Sequence, residues 1–150
     1  MKKPLLALGM CLLAITQVAH ANSRLQQVLD KGVLRVGTTG DWNPMTMKDP
    51  ATNSYRGFDI DVTTELAKDL GVKVEFVATD WKTLVNGITA NKYDITGSAS
   101  LNMSRAKVAG YSQAYFYLGF VPVVQKKDLA NFTDWADFDK PDVKVAATLG

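Results

Sequence analysis

Apolar positions along the chain fall into two recurring patterns, short continuous runs and stripes at helical spacing, and the two alternate. Val33-Leu34-Arg35-Val36-Gly37 is a near-continuous apolar run, as expected of a strand buried inside a parallel sheet. Phe58 to Leu70 carries Ile60, Val62, Leu66, Ala67 and Leu70 as a helical stripe, with Asp59 and Asp61 at its start and Gly71 at its end. Val72 to Val77 alternates as a second strand. A second helix is predicted from Asp80-Trp81 through Leu84, Val85 and Ile88, and Tyr93 to Thr96 forms a third strand. Strand–helix–strand–helix–strand predicts an α/β fold built on a parallel sheet.

Flanking segments complete the pattern. Asn22 to Asp30 is a short helix stopped by Gly32, and Lys48 to Gly57 is a turn closing a hairpin from Met45–Met47 to Tyr55–Arg56. Further on, Arg105 to Gly110 reads as a helical turn and Tyr111 to Tyr115 as a loop. Phe116 to Gln125 reads as an apolar strand, Lys126-Lys127-Asp128 as a charged, mobile stretch, and Phe132 to Phe138 as a short aromatic helix. Val143 to Ala147 reads as a last buried strand, with Thr148-Leu149-Gly150 in the loop after it, so the chain is expected to be a fragment of a longer protein.

The first residues follow a different logic. Met1-Lys2-Lys3 is basic, Leu5 to Val18 is an apolar run, and Ala19-His20-Ala21 has the small-x-small form of a cleavage site. These features predict a secretory signal peptide cut after Ala21, too short and wrongly flanked to span a membrane. Met10 before Cys11, where a small residue is needed, argues against a lipoprotein.

Removing the leader changes the charge and the available chemistry. Lys2 and Lys3 leave, so the 17 basic residues fall to 15 and balance the 15 acids. A neutral chain without a basic run gives no reason to expect nucleic acid as a partner. The only Cys and the only His, Cys11 and His20, leave as well. Thiol nucleophiles, histidine bases, Cys/His zinc sites and a disulfide framework are then excluded. Gly37-Thr38-Thr39-Gly40 is neither a dinucleotide-binding glycine pattern nor a P-loop, and the sequence calls for no cofactor and no metal.

In an open parallel sheet, ligands bind beyond the carboxyl ends of the strands. Three loops reach that edge, and they carry Trp42, Trp81 and the stretch Gly97-Ser98-Ala99-Ser100-Leu101-Asn102-Met103-Ser104-Arg105. A guanidinium matches a carboxylate two bonds at a time, and small residues let a ligand approach backbone N–H groups. Arg105 with this loop therefore predicts a small-carboxylate site, with Trp42 and Trp81 as apolar walls. The plainer readings are a solvated surface arginine and two core tryptophans. Asp80 reads as a cap for the helix after it, Asp94 as a partner for a neighbouring charge, and Tyr93, Tyr111 and Tyr115 as packing residues.

The same residues resemble a known family. Leu34-Arg35-Val36-Gly37-Thr38, an aromatic-x-Pro, Gly57-Phe58-Asp59-Ile60-Asp61, Asp80-Trp81, Tyr93-Asp94-Ile95, and Arg105 followed by Tyr111-Ser112 and Tyr115 resemble, in that order, the amino-terminal lobe of periplasmic amino-acid-binding proteins. The resemblance runs from about Leu25 to the end. It implies the type II periplasmic binding fold, a two-lobed clamp that delivers its ligand to an ABC transporter. On that reading residues 22–124 form the first lobe and residues 125–150 begin a second, with the crossing near Phe120–Gln125. Arg105 would grip an α-carboxylate, Ser100 would give it a backbone N–H, and Ser98 would make a further polar contact. Trp42 and Trp81 would sandwich the ligand body. Thr39 stands where binders of basic amino acids place an acid, which disfavours a cationic side chain, and Asn102 replaces the commoner Thr of Thr-x-x-Arg.

Gly37-Thr38-Thr39-Gly40-Asp41-Trp42, followed by Asp49-Pro50-Ala51-Thr52, is also similar to the cyclohexadienyl dehydratases, exported enzymes of the same fold. The resemblance therefore implies a periplasmic carrier of a small carboxylate, with a dehydratase acting on prephenate or arogenate as the alternative. A receptor's ligand-sensing domain is disfavoured by the cleavable leader.

Overall fold

The computed structural model describes residues 23–147. The predicted leader with its cleavage site, and Thr148-Leu149-Gly150, lie outside the described residues. In chain order the elements are α1 (Arg24–Lys31), β1 (Val33–Thr38), β2 (Asp41–Trp42), β3 (Thr46–Lys48), β4 (Tyr55–Arg56), α2 (Phe58–Asp69), β5 (Lys73–Ala78), α3 (Asn86–Thr89), β6 (Ile95–Thr96) and α4 (Met103–Ala106). Two 3₁₀ turns, Lys126–Asn131 and Trp135–Asp137, follow.

The apolar run of β1 sits at the centre of a parallel sheet, ordered β5-β1-β6, with Leu34 opposite Val74 and Val36 between Phe76 and Ile95. One face buries Leu34 and Val36 against Val28 of α1 and Ala67 of α2. On the other face, Tyr93 is fully buried against Gly37 and Gly87 and donates its hydroxyl to the Leu84 carbonyl at 2.6 Å. A second, antiparallel sheet of β2, β3 and β4 forms the expected hairpin and extends it by one strand at Trp42.

Helix α1 begins at a Ser23 cap, whose Oγ accepts from the Gln26 N–H at 3.1 Å, and ends at Gly32 with φ +67°. Helix α2 starts without a side-chain cap. Its first N–H groups, those of Phe58 and Asp59, donate to the Pro44 and Met45 carbonyls at 3.1 and 3.0 Å, so hairpin backbone satisfies them. Gly57 permits that approach: its φ is +128°, and a Cβ there would lie 2.5 Å from the Met45 carbonyl oxygen.

Several expectations are corrected. The buried face of α2 is Asp59, Ile60, Thr63 and Ala67, while Leu66 is exposed, because the sheet meets the helix one position away from its most apolar line. Only Asn86–Thr89 of the predicted second helix is regular. Thr83, Val85 and Gly87 are weak helix formers, and Asp80 folds its own backbone into a turn instead. The apolar runs Phe116–Gln125 and Val143–Ala147 pair with no strand among the described residues, and Tyr117, Phe120 and Val123 are exposed. A strand needs a neighbour to satisfy its backbone, and apolar character alone supplies none. The charged stretch at Lys126 opens a 3₁₀ turn, Lys126–Asn131, and the predicted aromatic helix is reduced to a short 3₁₀ turn at Trp135–Asp137, flanked by Phe132 stacked on Phe138.

Candidate functional site

Three loops leave the carboxyl ends of β1, β5 and β6 and meet at one edge of the sheet. Beside them the segment Tyr111–Phe120 returns and encloses a cleft of about 360 Å³. Trp42, Ser98 and Ser100 line it, together with Tyr111, Tyr115 and Phe116. A cleft of this size suits a small molecule.

Trp42 and Trp81 converge as expected, but on each other. Their rings meet edge to face, with centroids 5.4 Å apart and planes at 72°. The Trp81 Nε1–H donates to both carboxylate oxygens of Asp41, at 3.0 and 3.2 Å. Only Trp42 of the pair lines the large cleft, so the two rings do not sandwich that space in this structure. Asp80 does not cap the helix, which begins at Asn86; it caps a turn before it, its Oδ1 accepting from the N–H groups of Lys82 and Thr83, each at 2.9 Å. The Thr83 N–H first, then its hydroxyl, hold the Asp80 carboxyl below the usual range.

Arg105 lies on α4 and is half-buried. Its Nη1–H donates to Ser100 Oγ at 3.0 Å and to the Ser100 carbonyl at 3.3 Å, which ties it to the rim of the cleft through Ser100. Asn102 fills the position of the commoner Thr as a cap, its Oδ1 accepting from the Arg105 N–H at 2.9 Å and from Ser104 Oγ at 2.7 Å. Among the described residues Arg105 pairs with no carboxylate, and the N–H groups of Ala99, Ser100 and Leu101 donate to no protein acceptor.

Thr39 lies apart from the large cleft. It borders a cavity of about 10 Å³, room for a single water at most, with Thr38, Thr46, Asp59, Trp81 and Ser98. Its buried Oγ1 has no hydrogen-bond partner among the described residues.

Sequence reasoning missed the residues beneath the cleft. Asp59, 5% exposed, read as helix-start charge, yet its carboxylate accepts from the Ser98 hydroxyl and from the Tyr115 hydroxyl, the latter at 2.9 Å. Tyr115 read as packing, but burial, then the charge and hydrogen bond of Asp59, push its phenol up to about 12, so it stays a proton donor. Gly57-Phe58-Asp59 and Tyr115 both stood in the quoted motifs, which was the available signal. Asp94 pairs as expected, bidentate with Arg35 at 2.7 and 3.1 Å, on the side of the sheet away from the loops.

Residues 34–144 match the bacterial extracellular solute-binding proteins, family 3. The chain is 34% identical over 142 residues to a cyclohexadienyl dehydratase of Pseudomonas aeruginosa, covering 94% of this chain and 53% of that protein. It is also 34% identical over 150 residues to an L-cystine-binding protein of Bacillus subtilis, covering 91% of this chain and 56% of that one. Among solved structures it resembles an ancestral amino acid-binding protein described as a precursor of cyclohexadienyl dehydratase. The TM-score is 0.75 at 37% identity, covering 81% of this chain and 54% of the other. The chain thus spans about half the length of the curated relatives it matches.

Proposed function

Because the chain belongs to the bacterial extracellular solute-binding proteins of family 3, with their type II periplasmic binding fold, we propose that its cleft captures a small carboxylate, an amino acid or related organic acid. The observation that carries this reading is the rim of the cleft. There, among the described residues, the N–H groups of Ala99, Ser100 and Leu101 donate to no protein acceptor, and the Arg105 guanidinium, paired with no carboxylate, is docked on Ser100. Fixed N–H dipoles and a guanidinium together make an acceptor-binding surface.

In this proposal Arg105 and the Ser100 N–H hold the carboxylate, Ser98 adds a polar contact, and Trp42 packs on the ligand body. Trp81 holds Trp42 in place and reaches a ligand only if the two rings separate. Thr39 brings no negative charge, which favours a ligand without a basic side chain. Residues 22–124 form the first lobe and 125–150 begin a second. The apolar run Phe116–Gln125, unpaired among the described residues, supports a crossing near Phe120–Gln125. The leader is cut after Ala21 in the periplasm, and the loaded clamp is read by an ABC transporter.

A dehydratase acting on prephenate or arogenate is the second reading, favoured by the similarity to the Pseudomonas aeruginosa enzyme across 94% of this chain. Titration calorimetry of the full-length protein with L-cystine, L-glutamine, L-arginine and prephenate tests both. Carrier function predicts binding of an amino acid without a basic side chain, no binding of L-arginine, and no turnover. Phenylpyruvate accumulating from prephenate, followed by absorbance, replaces the carrier with the enzyme. Absence of binding to all four removes the carboxylate reading as stated.

A further inference from the structure

We propose that Asp59 is a positioning residue that fixes the spacing between the two walls of the cleft. Its meaning for a ligand rests on the carboxylate-capture reading above, but the geometry does not.

One wall is the loop after β6, the other the returning segment around Tyr115. Both send a hydroxyl to the same buried carboxylate: Ser98 Oγ to Oδ2, and Tyr115 Oη to Oδ1 at 2.9 Å. The Ser98 N–H points across to Tyr115 Oη at 3.4 Å and closes a triangle. Burying a carboxylate costs free energy unless its oxygens are paired, and no cation lies within ion-pair distance of Asp59 among the described residues. The two hydroxyls are therefore its compensation, and each is locked by the other's anchor.

The loop is shaped to meet Asp59. Ser98 sits in the left-handed region, φ +56°, which a non-glycine residue adopts only when its surroundings hold it there. Gly97 lies flush against the carboxylate, and a Cβ at that position would be 2.7 Å from Asp59 Cγ. The N–H groups offered to a ligand follow directly at Ala99, Ser100 and Leu101. A binding constellation tolerates displacements of only about 0.5 Å, so a shared anchor under both walls sets whether those groups converge.

Tyr115 has a second hold, since its ring stacks on Phe58 with centroids 6.1 Å apart. Tyr115→Phe keeps that stack and removes only the hydroxyl, which separates positioning from packing.

Nitrogen-15 relaxation of the full-length protein, followed by NMR, tests the proposal. Asp59→Asn and Tyr115→Phe are each expected to lower the backbone order parameters of residues 97–101 and of residues 111–116 together, from the rigid value of about 0.85 toward about 0.6, with β1, β5 and α1 unchanged. Lowered order in only one wall, or spread evenly through the sheet, overturns it. If Asp59→Asn does not fold, Tyr115→Phe decides alone. Calorimetry with L-glutamine, L-cystine and prephenate supplies the second readout. Whichever of these the wild type binds should bind at least tenfold more weakly to the folded variant, and unchanged affinity overturns the proposal. A wild type that binds none of them, with the two-wall loss of order in the variants, removes the carboxylate reading and leaves Asp59 as the brace.

Discussion

Gly37 and Gly87 show how one residue's absent side chain shapes this fold. A Cβ at Gly37 would lie 2.5 Å from the Tyr93 ring, and one at Gly87 would lie 2.1 Å from its hydroxyl. Tyr93 is fully buried and tied to the Leu84 carbonyl, so its ring has nowhere to move. Gly37→Ala is expected to destabilise the protein by about 1–3 kcal/mol, the usual cost of overpacking a filled core, seen as a lower urea midpoint. At the rim of the cleft, Arg105→Ala should weaken carboxylate binding by about 2–5 kcal/mol, because it removes a charged fork while the ligand's charge stays desolvated. Calorimetry on whichever ligand the full-length protein binds measures this, and the urea midpoint should barely move, since among the described residues the Arg105 side chain bonds only Ser100. Arg105 was legible as a residue type. Asp59 was not, because an acid in the first turn of a helix is already explained by the helix dipole.

At the level of elements, β1 and β6 are joined by more than their ladder. Asp94 receives the Arg35 side chain in a fork and the Arg35 backbone N–H at 3.0 Å, and its own N–H donates to the Arg35 carbonyl at 2.9 Å. Burial alone would raise the Asp94 carboxyl. The side-chain and backbone hydrogen bonds from Arg35, then the charges of Arg35 and Arg24, hold it below the usual carboxylate range. A lowered carboxyl stabilises the fold when ionised. Its contribution is therefore complete above roughly pH 4, the ordinary Asp value, and is lost as pH falls through the folded-state value. Asp94→Asn should cost about 2–3 kcal/mol at pH 7, discounted from a fully buried pair because Arg35 remains partly solvated. The gap between variant and wild type should narrow toward pH 2, as followed by urea midpoints. The parallel strands and α2 were legible because burial on one or both faces imposes a period on the sequence. Phe116–Gln125 misled, because its apolar residues say that something covers them without saying that it is a strand.

Across the whole molecule the testable boundary is the leader. Mass spectrometry of protein recovered from the periplasm should show a chain beginning at Asn22, without Cys11 and His20; a retained Met1 would overturn the cleavage reading. The comparisons extend over about half of the curated relatives' length, and the carrier or enzyme question belongs to that whole.

Sequence pattern alone was enough for the parallel α/β class, the family resemblance, and the loops that meet at the sheet edge. Each follows from local periodicity, residue type or order along the chain. The three-dimensional packing settled a different set of facts: that Trp42 and Trp81 touch each other, that Thr39 faces a separate small cavity, and that one carboxylate joins Ser98 to Tyr115. These are relations between residues 17 to 56 positions apart. Periodicity carries no information about such pairs, because it records which face a residue occupies and not which residue stands opposite.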